Sequence, residues 1–239
     1  MIPCDLHIHS CLSPCGDGDM TPCNITGLAS LLGLTLVAVT DHNTCGNCRS
    51  VMTAGARAGV AVVPGMELTC REEAHILCFF SEIGAAEAFS DYVYGKLPDI
   101  RNDPAVFGPQ MRLDDRDVFC SEESRLLITA ADIGVYDVQR LCHTHGGVAV
   151  PAHLNRSSYS ILSALGFYDP AMGFPVMEVT ASCRPELLIS EHPELCGTQF
   201  VKNSDAHYLE QIGTAGQTLS LPEATPRALV DYFLGFQKA

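Results

Sequence analysis

Through the first third of the chain, short apolar runs alternate with stretches whose apolar residues recur at helical spacing. Ile2 to His9 reads as a strand, Asn24 to Gly33 as a helix and Leu34 to Thr40 as a strand. Asn47 to Gly59 follows as a helix and Val60 to Thr69 as another strand. This order favours a parallel sheet or barrel, in which the loops leaving the C-terminal strand ends carry the chemistry. Ala74 to Phe80 predicts one more strand close behind the last. From about Asp91 to Ala130 the pattern weakens. Charges gather between Arg112 and Asp117, and Pro98, Pro104 and Pro109 interrupt the stretch, so residues 91–130 are expected to form a small inserted cap. A helix from Asp137 to Thr144 then ends at Gly146 and Gly147, and a strand runs from Val148 to His153. Val176 to Ala181 and Gln199 to Ser204 predict later strands, and Pro226 to Phe236 a closing helix with Thr225 as its N-cap. A chain of 239 residues suits one large α/β domain over residues 1–239 better than two full ones.

Composition adds constraints. Hydrophobic residues make up 47% and charged residues 18%, enough apolar material for a buried interior. A formal charge of -14 opposes an extended electrostatic grip on polynucleotide phosphates, so long nucleic acid is not an expected partner. Bound divalent cations would nonetheless restore positive charge where an anionic substrate approaches. Met1 leads into Ile2, Pro3, Cys4 and Asp5 with no basic or apolar leader. The apolar runs Leu34 to Val39 and Gly59 to Val63 fall short of the roughly 20 residues needed to cross a bilayer. No membrane partner is expected, and a cytoplasmic location is. No feature of the chain sets an oligomeric state. Twelve cysteines in such a compartment read as buried small hydrophobes or metal ligands before disulfides. Cys45-Gly46-Asn47-Cys48 has the spacing of a redox or zinc pair, but with no second pair downstream it reads as two structural thiols.

The chemistry is announced at strand ends. In Asp5-Leu6-His7-Ile8-His9-Ser10 two histidines two apart on a strand share a face and can bind one metal. Thr40-Asp41-His42 closes the next apolar strand. Gly65-Met66-Glu67 follows Val60 to Pro64, with His75 opening the strand after it. Pro151-Ala152-His153 and Ser204-Asp205-Ala206-His207 complete the series. In a barrel all of these would reach one rim. Imidazoles and carboxylates together suit Zn²⁺, Mn²⁺ or Fe²⁺ in a site that keeps positions open for water and substrate. His143 and His145 lie at a helix end and His192 in a polar stretch, outside the set. Glu178 and Lys202 also end strands, where each reads equally as a pocket residue or a salt-bridge partner.

The strings DLHIHS, VTDHN, PGMELT with the following AHILCFF, GGVAVPAH and NSDAH, in this order over positions 5 to 207, resemble the PHP (polymerase and histidinol phosphatase) family in its short-chain phosphoesterase branch. The resemblance implies a distorted (β/α)7 TIM-like barrel that hydrolyses phosphate esters with two or three divalent ions (Zn, Mn or Fe) and a metal-activated hydroxide. It implies that His7, His9, Glu67 and Asp205 hold one ion, that Glu67 bridges to a second held by His75 and His153, and that His42 and His207 serve a third. The remaining ligand of the third ion is expected from the loop after His9, with Asp17 favoured and Asp19 or Cys15 as alternatives. Arg156 is the expected phosphate clamp. His207 or His42, where not committed to a metal, would protonate the leaving oxygen. The expected substrate is a small phosphorylated metabolite or short nucleotide. The competing functions are an amidohydrolase-like C–N hydrolase and a non-catalytic metal-binding scaffold.

Overall fold

The computed structural model describes residues 1–236. Its elements follow in the order β1 (Ile2–Ile8), α1 (Pro22–Leu31), β2 (Leu36–Val39), α2 (Cys48–Ala58), β3 (Ala61–Thr69) and β4 (His75–Phe80). The middle of the chain holds α3 (Ile83–Tyr94), α4 (Pro104–Phe107), β5 (Met111–Leu113) and β6 (Phe119–Glu122). The remainder comprises α5 (Val135–Thr144), β7 (Gly147–Pro151), α6 (Ile161–Leu165), β8 (Val176–Val179), α7 (Pro185–Glu191), β9 (Gln199–Lys202), β10 (Thr218–Leu219) and α8 (Pro226–Leu234).

Six strands form one curled sheet in the order β10-β1-β2-β3-β4-β7, while β8 and β9 form a separate parallel pair and β5 and β6 a small hairpin. The architecture is mixed α/β, and its ladders do not run continuously around a seven-stranded barrel. The gaps are spanned locally. Leu154 N–H donates to the Glu178 carbonyl at 2.8 Å, tying the end of β7 to β8. Ala206, beyond β9, bridges to Ile8 of β1, donating to His7 O at 3.1 Å and accepting from His9 N at 2.9 Å.

A parallel sheet was the expectation, and two strands depart from it: the short β10 pairs antiparallel with β1 at the sheet edge, and β4 reverses within the sheet. β1, β2 and β3 run parallel, but β4 is antiparallel to both β3 and β7. The cause is the tight connection Cys70–Ala74, where Glu73 sits at φ 61° and its N–H bonds back to Cys70 O, too short for a crossover. The reversal brings the first residue of β4, His75, to the rim where the other strands end.

The local reasons for these elements are plain. Thr21 caps α1 by accepting from Asn24 N, with Pro22 at its first turn. Gly59 ends α2 in the left-handed region. At Gly55 a Cβ would lie 2.7 Å from Val60 O and 2.6 Å from Val62, so only glycine lets α2 fold back onto β3. One face of the main sheet packs Leu6, Leu36, Val63, Leu77, Phe79 and Val150 with Leu229 and Phe233 of α8. Its other face buries Val37, Val39 and Val62 under α1 and α2, and Ile76, Cys78 and Phe80 against α3 and α5. A register shift between Asp5 and Ile8 in β1 sends Leu6 and Ile8 into different clusters, immediately beside His7 and His9. Among the described residues no helix is long and apolar enough to cross a membrane.

Candidate metal centre

Six of the nine expected metal ligands are almost wholly buried around one point. His7, His9, His42, Glu67, His75 and His153 are each no more than 7% exposed, with Asp205 at 9%. Glu67 lies at the centre. Its Oε1 is 3.3 Å from His7 Nε2, 3.0 Å from His75 Nδ1 and 3.3 Å from His153 Nε2. Its Oε2 is 3.3 Å from both His9 Nε2 and His42 Nδ1. Asp205 Oδ1 approaches His7 Nε2 at 3.1 Å and His9 Nε2 at 3.3 Å, and the two Nε2 atoms are 3.2 Å apart.

Two supports fix the histidines of β1. Both Glu178 carboxylate oxygens lie 3.0 Å from His7 Nδ1, and Glu178 also accepts from His153 N and Asn203 Nδ2 at 2.8 Å. His9 Nδ1 instead meets the Ser13 hydroxyl at 2.9 Å. Ser13 Oγ donates onward to Asp41 Oδ1 at 2.7 Å, and Asp41 further accepts from Ser10 N and Oγ. Each arrangement holds the Nδ1 proton and leaves Nε2 as a lone-pair donor. Asp41 therefore orients the site without facing it. Asp5, in the first motif, is structural: it accepts from Ser204 N at 3.1 Å and Gly213 N at 2.8 Å.

Charge is strongly coupled here. Burial opposes ionisation of Glu67, but His75, His7 and His42 around it hold its carboxyl well below the ordinary range. Burial likewise works against the protonated form of His7, yet Glu178, Asp205 and Glu67 raise it well above a normal imidazole. His9 is raised to about 9 against its burial, by Asp205 and Glu67. Burial and the neighbouring imidazoles push His42 well down and His207 to about 4.

Donor chemistry fits divalent cations. Ligand bonds of about 2.0–2.1 Å in a tetrahedral site place neighbouring donors roughly 3.3–3.4 Å apart, and the His7, His9, Glu67 and Asp205 contacts are 3.1–3.3 Å. The buried Nδ1 of His42, 3.3 Å from Glu67 Oε2, makes no hydrogen bond, as expected of an atom left for another ligand, whereas His153 faces Glu67 through Nε2 and its unpartnered Nδ1 lies on the other side of the ring. Three overlapping groups present donor atoms within 4.8 Å of one another: His7, His9 and Glu67; His42, Glu67 and His75; and His9, Cys15, His42 and His207.

Asp17 lies outside all three. Its backbone N–H bonds to His207 O at 2.9 Å, while its carboxylate turns back to accept from Asp19 N at 2.9 Å, as aspartates do in tight turns. The loop donor that reaches the cluster is Cys15. Gly16 makes this possible, because a Cβ there would collide with the Ser10 carbonyl oxygen. Arg156 stands at the edge, 44% exposed, with NH1 2.5 Å from Asp205 Oδ2. Tyr159, at φ 55°, accepts from His75 N and stacks its ring on that imidazole at 4.8 Å between centroids.

Glu178 is the residue that sequence reasoning left undecided and the structure makes central. Its signal was a lone charge within the apolar Val176–Val179 strand. Lys202, its counterpart on β9, instead donates to the Ala181 and Cys183 carbonyls. His192 pairs with Glu194, and His145 packs edge-on to Phe89, both outside the cluster. Cys45 and Cys48 are buried free thiols, each donating to Gly65 O.

The fold is shared with solved structures. The lesion-specific endonuclease Q of Pyrococcus furiosus superimposes with a TM-score of 0.67 at 16% identity, covering 98% of this chain and 56% of its own. An endonuclease Q complex with a 27-mer duplex substrate bearing an abasic lesion at the active site gives 0.71 at 16%, covering 97% and 56%. This chain thus spans a little over half the length of those proteins. A candidate metal-dependent phosphoesterase of Bifidobacterium adolescentis gives 0.61 at 19%, covering 99% and 96%. Comparison with curated proteins gave no match. The endonuclease complex overturns the expectation of a small phosphorylated substrate with long nucleic acid excluded, because a protein that shares this fold takes a duplex as substrate. The net charge of -14 is a sum over the whole surface and says nothing of the face that meets a ligand. The PHP domain matches residues 5–166, a stretch that contains every clustered residue except Glu178, Asp205 and His207, and the chain belongs to the PHP domain family.

Proposed function

We propose that this chain hydrolyses phosphate esters at a centre in which His7, His9, Glu67 and Asp205 hold one divalent ion and Glu67, His75 and His153 a second. The observation that carries this is the position of Glu67, whose two oxygens each face imidazoles of different strands at 3.0–3.3 Å. When bound, such ions would acidify water for attack and offset charge on the phosphate. The protein's own groups do the rest. Glu178 and the Ser13–Asp41 pair hold the tautomers of His7 and His9. Arg156, half in solvent, can turn its fork from Asp205 to a phosphate oxygen. His42 and His207 flank the side opposite His153, beside Cys15. In this reading the sheet and the β8–β9 pair act as one distorted barrel with the site at its rim, within a single domain. The expected insert, residues 91–130, whose first four residues close α3 and whose remainder holds α4 and the β5–β6 hairpin, caps it in the same reading.

The test is metal analysis of purified protein, paired with phosphate release from phosphomonoesters and cleavage of phosphodiesters. The panel includes an abasic duplex, and Glu67→Gln is the control. At least two ions per chain, with turnover reduced about 10³-fold or more in the variant, is the expected result, since such ions supply several kcal/mol of charge stabilisation. Less than one ion after reconstitution, with no turnover on any ester, sinks the reading and leaves a scaffold.

A further inference from the structure

The outer side of the centre differs chemically from its floor. Around Glu67 the donors are imidazoles and carboxylates, but the third group, His9, Cys15, His42 and His207, contains a thiol and no carboxylate. Three independent features aim this group at a cation. His42 Nδ1 is buried and makes no hydrogen bond, with Glu67 Oε2 at 3.3 Å, so His42 stands between the Glu67 position and this outer one. His207 has Nδ1 engaged with the Asp205 carbonyl at 2.8 Å, leaving Nε2 as its lone-pair donor. The loop bearing Cys15 is pinned on both sides, by Ser10 N and Oγ to Asp41 and by Asp17 N to His207 O, so the thiol is held next to His207.

We propose that Cys15 supplies a thiolate to a third divalent ion, held by Cys15, His42 and His207, with His9 at the corner shared with the first position. The inference rests on the metal-centre reading above and goes beyond it, because it assigns a soft sulfur donor where a carboxylate was expected. On binding, the Cys15 S–H bond breaks, its proton leaves to solvent and the Sγ–metal bond forms, with no change of oxidation state. Three protein ligands leave a position open for water or substrate. A thiolate donor biases this position toward zinc or ferrous iron over magnesium or manganese, whereas the oxygen- and nitrogen-ligated positions take any of them more evenly. The centre is thus built for unlike positions.

Cobalt(II) reconstitution of the chelator-stripped full chain tests this without reference to turnover. The wild type should show a near-ultraviolet sulfur-to-cobalt charge-transfer band. Cys15→Ser should lose that band and about one bound ion while keeping the others, Cys15→Asp should recover the ion without the band, and Asp17→Asn should alter neither. A band that survives Cys15→Ser, or an ion lost from Asp17→Asn, overturns the proposal. Protein that binds cobalt and hydrolyses esters with no band also overturns it and leaves the phosphoesterase reading standing. A chain that binds no cobalt overturns both.

Discussion

His7 and His9 sit two residues apart on one strand and point their Nε2 atoms at the same carboxylates, yet they are held in opposite ways. His7 leans directly on a buried carboxylate, Glu178, delivered from β8 on the far side of the fold. His9 leans on a neutral hydroxyl, Ser13, with the carboxylate Asp41 one step further back. The direct contact places a full negative charge beside the ring and makes His7 the stronger base, while the hydroxyl relay fixes orientation with less charge. Equivalent positions in a sequence motif therefore need not be equivalent donors.

The comparison can be broken experimentally. Glu178→Gln should weaken metal binding most, by about 100-fold in competition titrations against a chromogenic chelator, because it removes the charge facing His7 and leaves one acceptor oxygen where two serve His7 Nδ1, His153 N and Asn203 Nδ2. If the loss is under about threefold, direct carboxylate support is not what makes His7 a ligand. Ser13→Ala should cost about 10-fold by the same titration, since Asp41 keeps its bonds to Ser10 and the loop stays in place. Equal losses in the two variants would erase the distinction. The smallest effect is expected at Arg156→Ala, whose exposed pairing with Asp205 is worth at most about 1 kcal/mol. Metal affinity should change by less than about fivefold while KM for the ester rises, and a fall in kcat alone would remove Arg156 from phosphate binding.

Much of this was legible because strands impose a period of two and place their ends together. The HxH pair, Glu67 after its apolar run and His75 eight residues later could each be placed from that rule. The direction of β4 could not, since it depends on the short Cys70–Ala74 turn and not on periodicity. Glu178 was visible but undecided, because a lone strand-end carboxylate is as readily a salt-bridge partner until its neighbour is known. Asp17 against Cys15 lay beyond reach for a different reason. In a loop no period says which side chain faces inward, and only the contact of Asp17 with Asp19 N and the tight backbone at Gly16 decide it.

The pairing of β1 with the 203–213 loop joins residues nearly the whole chain apart: Asp5 to Ser204 is a separation of 199 positions. His7 and His9 meet Asp205 across the same seam. An ion bound there would act as a reversible cross-link closing a loop that takes in most of the chain, and loop-closure entropy grows with loop length. Because the unfolded chain cannot assemble these donors, free metal concentration would set the melting temperature by mass action. Stripping the ions should first loosen the attachment of the chain's beginning to its end.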